Sequence, residues 1–219
     1  MSLKKVKGRL PDDQIPKTPA NLLGIKEEIT FACCQLGSEV GNVKANLERA
    51  IEIIKEAAKE GADLVAFPET YLSNYTAQFE SRYLAEPVPG PSTDILSKIA
   101  KEHNIYIVMG MPVLVKKYPG FFTNGAAVIG PDEGVMGVYS KITLPTFRIG
   151  DLLVTEGNYF APGTQLPLFD IRGWKMSVNI CQDAWLPEIP RIQALQGAQV
   201  ILTISAGPKE FQEGWHPLL

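Results

Sequence analysis

Residues 62–67 (ADLVAF) form a short, almost wholly apolar run that Pro68 stops. A strand of this composition needs cover on both faces, so the chain must supply layers above and below it. Residues 105–111 repeat the pattern. Between and before these runs lie amphipathic stretches. Asn42 can cap a helix running to about Glu60, in which Val43, Leu47, Ala50, Ile51, Ile54, Ala57 and Ala58 recur at three- and four-residue spacing. Gly61 stands where a helix-ending glycine belongs. After a loop containing Pro87, Pro89, Gly90 and Pro91, Ser92 or Thr93 can cap a second helix that Asn104 ends. Its inner face would carry Ile95, Leu96, Ile99 and Ala100. Strand, helix, strand, helix, strand is the alternation of an α/β fold.

The remainder is richer in strands. Residues 28–35 (EITFACCQ) read as a strand ahead of the first helix. Residues 123–129 and 135–140 form a hairpin around Pro131-Asp132-Glu133-Gly134. Residues 142–165 read as a long irregular loop. Residues 166–171 and 174–180 form another hairpin around Arg172-Gly173. A short helix near residues 188–196 precedes a strand at 199–205, and residues 206–219 read as loop or the start of a helix. The pattern predicts one α/β sandwich with helices outside and sheets inside. Residues 1–27, polar and punctuated by proline, are expected to be an extended or tag-derived arm. Residues 28–219 are then the folded domain. At 219 residues the chain can bury a large core without a disulfide or metal staple.

Composition removes several classes of function. There are 21 basic and 24 acidic side chains, for a net charge of -3, so no basic field is available to neutralise nucleic acid. The longest tempting uncharged stretch, residues 105–115, is 11 residues long and contains Gly110 and Pro112, whereas a membrane span needs about 20. With no apolar signal core near the N-terminus, the expected location is the cytosol. The three cysteines, Cys33, Cys34 and Cys181, have no framework spacing, and with only two histidines and no CxxC a zinc site is not expected. Cys33 and Cys34, being adjacent, must face opposite sides of any strand that holds them.

Ligand sites in α/β sheets lie beyond the carboxyl ends of strands. Three residues stand there. Glu69 follows the apolar run and Pro68, where a carboxylate is placed to act as a general base. The competing reading is a solvated loop glutamate. Cys181 follows the strand at 174–180 and precedes a short helix. Such an elbow presents a side chain and leaves backbone N–H groups free to bind an oxyanion, whereas an inert buried thiol is the competing reading. Lys141 follows the strand ending at Ser140. A fixed ammonium there can hold an oxyanion or lower a thiol's pKa, unless it is an ordinary surface lysine. Neither His103, in the last turn of a helix, nor His216, near the chain end, suits Cys181 as a base. Glu69 is the better candidate.

FPET at residues 67–70, YSKITLP at 139–145 and NICQDAWLPE at 179–188 resemble, in order and separation, the three signatures of the nitrilase superfamily of carbon–nitrogen hydrolases. The resemblance runs from about residue 29 to 215. It implies an α-β-β-α sandwich and a Glu69, Lys141, Cys181 triad, with the backbone N–H of Gln182 assisting Lys141 at the oxyanion. No metal or organic cofactor is implied. Some members use a second glutamate ahead of an aromatic and Pro-Gly segment. Glu156 fits that place, although the stretch between it and Lys141 is longer than the family suggests and contains Leu152-Leu153-Val154. A loop carboxylate is an equal reading of Glu156. Tyr75, Phe147 and Trp185 could line a pocket or be core and rim aromatics.

The acid two residues after Cys181 and the Trp-x-Pro-Glu run resemble the amidase and carbamoylase branches more than arylnitrilases. The expected reaction is hydrolysis of a small linear amide or N-carbamoyl compound, with nitrile hydrolysis second. A homo-oligomer is implied, with no nucleic-acid or membrane partner. The family usually continues past the EGW segment at residues 213–215, so the sandwich is expected to be incomplete at the C-terminus. That supports a different class of reading, a catalytically weak scaffold or binding protein. A redox-sensing thiol protein based on Cys33-Cys34 is disfavoured, because adjacent cysteines pair poorly.

Overall fold

The computed structural model describes residues 2–9, 26–149 and 152–207. In chain order the strands and helices are β1 (Ser2–Arg9), β2 (Glu28–Gln35), α1 (Val43–Lys59), β3 (Leu64–Ala66), α2 (Ser81–Leu84), α3 (Pro91–His103), β4 (Tyr106–Leu114), β5 (Phe122–Gly130), β6 (Gly134–Ser140), β7 (Thr146–Ile149), β8 (Leu152–Thr155), β9 (Phe169–Ile171), β10 (Trp174–Ile180), α4 (Glu188–Leu195) and β11 (Val200–Ile204). A six-stranded sheet has the order β1-β2-β3-β4-β5-β6, and a three-stranded sheet the order β11-β10-β9. Strands β2, β3 and β4 are parallel, as are β10 and β11. The carboxyl ends of β2 and β3 therefore share one rim of the large sheet, and those of β10 and β11 one rim of the small sheet.

The layers follow from side-chain alternation. On one face of the large sheet, Ala32, Cys34, Val65, Phe67, Ile107 and Met109 pack against Leu47, Ala50, Ile54, Leu96 and Ala100 of α1 and α3. On the other, Phe31, Leu64, Ala66, Val108, Val128 and Tyr139 meet Phe169, Ile171, Met176, Val178 and Ile180 of the small sheet. Each of the larger aliphatic and aromatic side chains buried stabilises the fold by roughly 1.5–3 kcal/mol, the alanines by less. The result is an α-β-β-α sandwich. Cys33 and Cys34 fall on opposite sides of it, as period-two alternation demands. Beyond the small sheet, α4 buries Ile189 and Gln193, and Gln193 donates to the Val178 carbonyl at 3.1 Å.

The first helix is as expected. Asn42 accepts from Ala45 N–H at 3.2 Å, and Gly61 follows the helix with φ +80°. The second helix begins earlier than expected. Pro91 takes its first position, and Thr93 sits in the third, accepting from Gly90 N–H at 2.8 Å rather than capping. Ile95 is 41% exposed, so the buried stripe holds Leu96 and Ala100 without it. Residues 142–165 are not an irregular loop, because β7 and β8 pair antiparallel within them, with Phe147 opposite Val154. The second expected hairpin has a shorter first arm, starting at Phe169. In the stretch expected as an arm, β1 pairs antiparallel with β2 along its whole length. The expectation for residues 206–219 lies, beyond residue 207, outside the described residues.

Gly110 in β4 lets the loop after β3 lie against the sheet. A Cβ there would run into the Pro68 carbonyl and come within 2.8 Å of Thr70 N. Gly110→Ala should therefore destabilise by about 1–3 kcal/mol through overpacking. It should also displace Glu69, which lies between the two residues it strikes. Thermal unfolding checks the first effect, and an unchanged melting temperature would contradict it.

Candidate active site

Each candidate is placed by the end of a strand. Glu69 lies three residues past β3, Lys141 directly follows β6, and Cys181 directly follows β10 at the start of a 3-10 turn, Cys181–Trp185. The backbone is strained at two of these points: Cys181 has φ +50° and Thr70, next to Glu69, has φ +49°. Non-glycine residues held in this region cost of order 1–3 kcal/mol and cluster at functional sites.

The structure brings Glu69, Lys141 and Glu156 into direct contact. Lys141, 0% exposed, donates from Nζ to Glu69 Oε1 and to Glu156 Oε1, both at 2.8 Å. Glu69 Oε1 also accepts from Asn124 Nδ2 at 2.7 Å, and its Oε2 from Ala206 N–H at 2.9 Å. Glu156 Oε1 accepts in addition from the Tyr75 hydroxyl at 2.6 Å. Glu156 is therefore part of the cluster rather than a solvated loop carboxylate. The apolar insert before it forms β8 and places Val154 against the site.

Electrostatics sort these groups. Burial alone would pull Lys141 down, but the Glu69 carboxylate, then Cys181 and Glu156, hold its pKa above the usual lysine value, so it is a fixed cation. Burial raises the Glu156 pKa, and Lys141 opposes this less strongly. Its Oε2 is buried without a hydrogen-bond partner among the described residues. Burial, reinforced by Glu69, pushes the Cys181 thiol up to about 12, while Lys141 and Ser205 pull the other way. Lys141 does lower the thiol's pKa, as its place in the sequence suggested, but desolvation outweighs the ammonium. A thiol that keeps its proton at neutral pH needs a base, and Glu69 is the charge whose influence on it is largest.

A cavity of about 730 Å³ opens against Glu69 at the rim where β2 and β3 end. Tyr75 and Phe147 line it, with Cys34, Tyr71, Val154 and Ser205; Trp185, at the end of the 3-10 turn, is not among its lining residues. Gln182 is the second residue of that turn. Among the described residues, no group of three or more His, Cys, Asp or Glu could hold a metal ion, and no helix is long and apolar enough to cross a membrane.

Asn124 and Ala206 were not singled out from the sequence, and Asp183 only as the acid two residues after Cys181, without its contacts. Asn124 is a fully buried amide in the largely apolar strand β5, which was a usable signal. The Ala206 backbone N–H carried none. Gly163 also matters: its N–H donates to the Lys141 carbonyl at 2.8 Å, and a Cβ there would strike the Ser140 carbonyl.

A family model described as carbon-nitrogen hydrolase matches residues 30–219. An omega-amidase from Xenopus laevis is 35% identical over 173 residues, covering 76% of this chain and 62% of the relative. An omega-amidase from Mus musculus is 32% identical over 190 residues, covering 84% and 68%. The chain thus spans about three fifths to two thirds of the length of these relatives. A glutamine-dependent NAD+ synthetase from Acinetobacter baumannii, solved with ADP, is similar in structure with a TM-score of 0.72 and 27% identity, over 85% of this chain and 34% of that one. An amidase from Nesterenkonia sp. shares the fold with a TM-score of 0.71 at 23% identity, over 85% and 69%.

Proposed function

The chain belongs to the carbon–nitrogen hydrolase family of the nitrilase superfamily, and on that premise we propose that it hydrolyses a small linear amide through a cysteine thioester. The observation that carries the reading is the buried Glu69–Lys141–Glu156 cluster beside the Cys181 turn, with Glu69 at the wall of a cavity. The similarity to omega-amidases favours amides over nitriles. N-carbamoyl compounds follow the same chemistry.

Glu69 takes the Cys181 proton as sulfur bonds to the amide carbon, and the carbonyl electrons move onto oxygen. The Lys141 ammonium and the Gln182 backbone N–H face that oxyanion. The oxygen electrons return, the C–N bond breaks, and Glu69 passes its proton to the departing nitrogen. Ammonia leaves a thioester behind. Water then gives a proton to Glu69 and bonds to the carbon. When the C–S bond breaks, sulfur recovers the proton and the acid departs. Each step uses one base, which is why a second carboxylate must not compete. Burial holds Glu156 toward its protonated form, and the Tyr75 hydroxyl and Lys141 fix it in place.

Ammonia release from a panel of linear primary amides, N-carbamoyl amines and nitriles tests the proposal. We expect turnover of amides, abolished when Cys181 is first alkylated with iodoacetamide. No turnover of any amide, with Cys181 refractory to alkylation, would leave the scaffold reading in its place.

A further inference from the structure

Asp183 is fully buried, two residues after Cys181, yet it belongs to neither the cavity wall nor the Glu69–Lys141–Glu156 cluster. Its carboxylate reaches across the sandwich to the chain on both sides of Lys141. Oδ2 accepts the Tyr139 hydroxyl at 2.6 Å. Oδ1 accepts the Thr143 backbone N–H at 2.8 Å and the Thr143 hydroxyl at 2.6 Å, and Ile142 N–H lies 3.2 Å away. Within its own turn, Oδ2 lies 3.3 Å from Ile180 N–H, immediately before Cys181. Three of these donors are backbone N–H groups, which can only donate, so the site is built for an acceptor-only carboxylate.

We infer that Asp183 is a positioning residue that locks the Lys141 segment to the Cys181 turn, setting the ammonium and the thiol at a fixed separation. The inference rests on the amidase reading of the site and adds a residue to it. The physical reason is that Lys141 and Cys181 come from different sheets. Lys141 follows β6 of the large sheet and Cys181 follows β10 of the small one, and between these sheets lies apolar packing, which sets no direction. Directional, charge-assisted hydrogen bonds supply what that packing lacks. Asp183 touches no reacting atom and acts through the Tyr139 and Thr143 hydroxyls and the backbone of residues 142, 143 and 180.

The test is the rate of Cys181 alkylation by iodoacetamide, read at that residue by peptide mass spectrometry, together with the melting temperature. For Asp183→Asn we expect alkylation at neutral pH to slow about 10- to 100-fold, the scale of a misplacement near 1 Å. Tyr139→Phe and Thr143→Val each remove one arm and should slow it by intermediate factors. A residue that merely stabilised the fold would behave oppositely, because loosening a buried thiol speeds its alkylation. Unchanged or faster alkylation in Asp183→Asn would overturn the inference. If that variant does not fold, the same result in both single-arm variants would do so. The unsubstituted chain separates the two claims. If its Cys181 is inert and no amide is turned over, the amidase reading falls and this one with it. If it is alkylated and releases ammonia while the variants match it, only the role of Asp183 falls.

Discussion

Replacing Lys141 with methionine is expected to cost about 3–5 kcal/mol of stability, the usual penalty for removing one partner of a buried ion pair. The side chain is fully buried and holds two carboxylates, those of Glu69 and Glu156, that are themselves only 1% exposed. Methionine keeps most of the volume, so the loss is electrostatic rather than a cavity. The deficit should depend on pH, with a sign set by Glu156. Burial raises its pKa, and Lys141 is the largest influence pulling it back down. Without Lys141 the folded-state pKa rises further above the unfolded value. Such a group's favourable contribution is complete below its unfolded pKa and is lost as pH rises through the folded one. The variant should therefore be most impaired at alkaline pH and recover part of its stability on acidification. Urea unfolding at pH 8 and pH 5 measures this. A deficit below about 1 kcal/mol, or one independent of pH, would contradict the buried-cluster account.

Turnover should respond most to Glu69→Gln. A positioned base contributes typically 10²–10⁴-fold, and a loss of about that size is expected. The substitution is nearly isosteric but removes the carboxylate proposed to accept the Cys181 proton. It also disturbs the site's geometry. Both carboxylate oxygens of Glu69 face donors: Lys141 and Asn124 on one, Ala206 N–H on the other. A glutamine has one acceptor oxygen, so its NH₂ must point at a donor whichever way the amide lies. Ammonia release under steady state, normalised to titratable Cys181, gives the answer. Retention of more than about a tenth of the activity would remove Glu69 as the base.

Much of this arrangement is legible in the chain. The apolar runs at β3 and β4 and the stripe of α1 follow from one-dimensional periodicity, because burial on one or two faces leaves a period of 3.6 or none. The three site residues stand at strand ends, and strand ends can be read from where apolar runs stop. Other features were out of reach. The β7–β8 hairpin has only four residues in each arm, too short for a pattern to separate it from a loop. Thr93 is a helix-start residue by type, and only the Pro91 geometry decides that it serves at the third position instead of the cap.

The sequence by itself determined most of the elements and nominated Glu69, Lys141 and Cys181, because local patterns and residue order are properties of the chain alone. The tertiary structure decided what those residues are to one another. That Lys141 bridges two glutamates 72 and 15 positions away depends on how the chain ends of β3, β6 and β8 meet. That the Cys181 thiol keeps its proton depends on burial, which adjacency in sequence does not report. Desolvation and Coulomb interactions act through space, so protonation and pairing are set only after the two sheets have closed on each other.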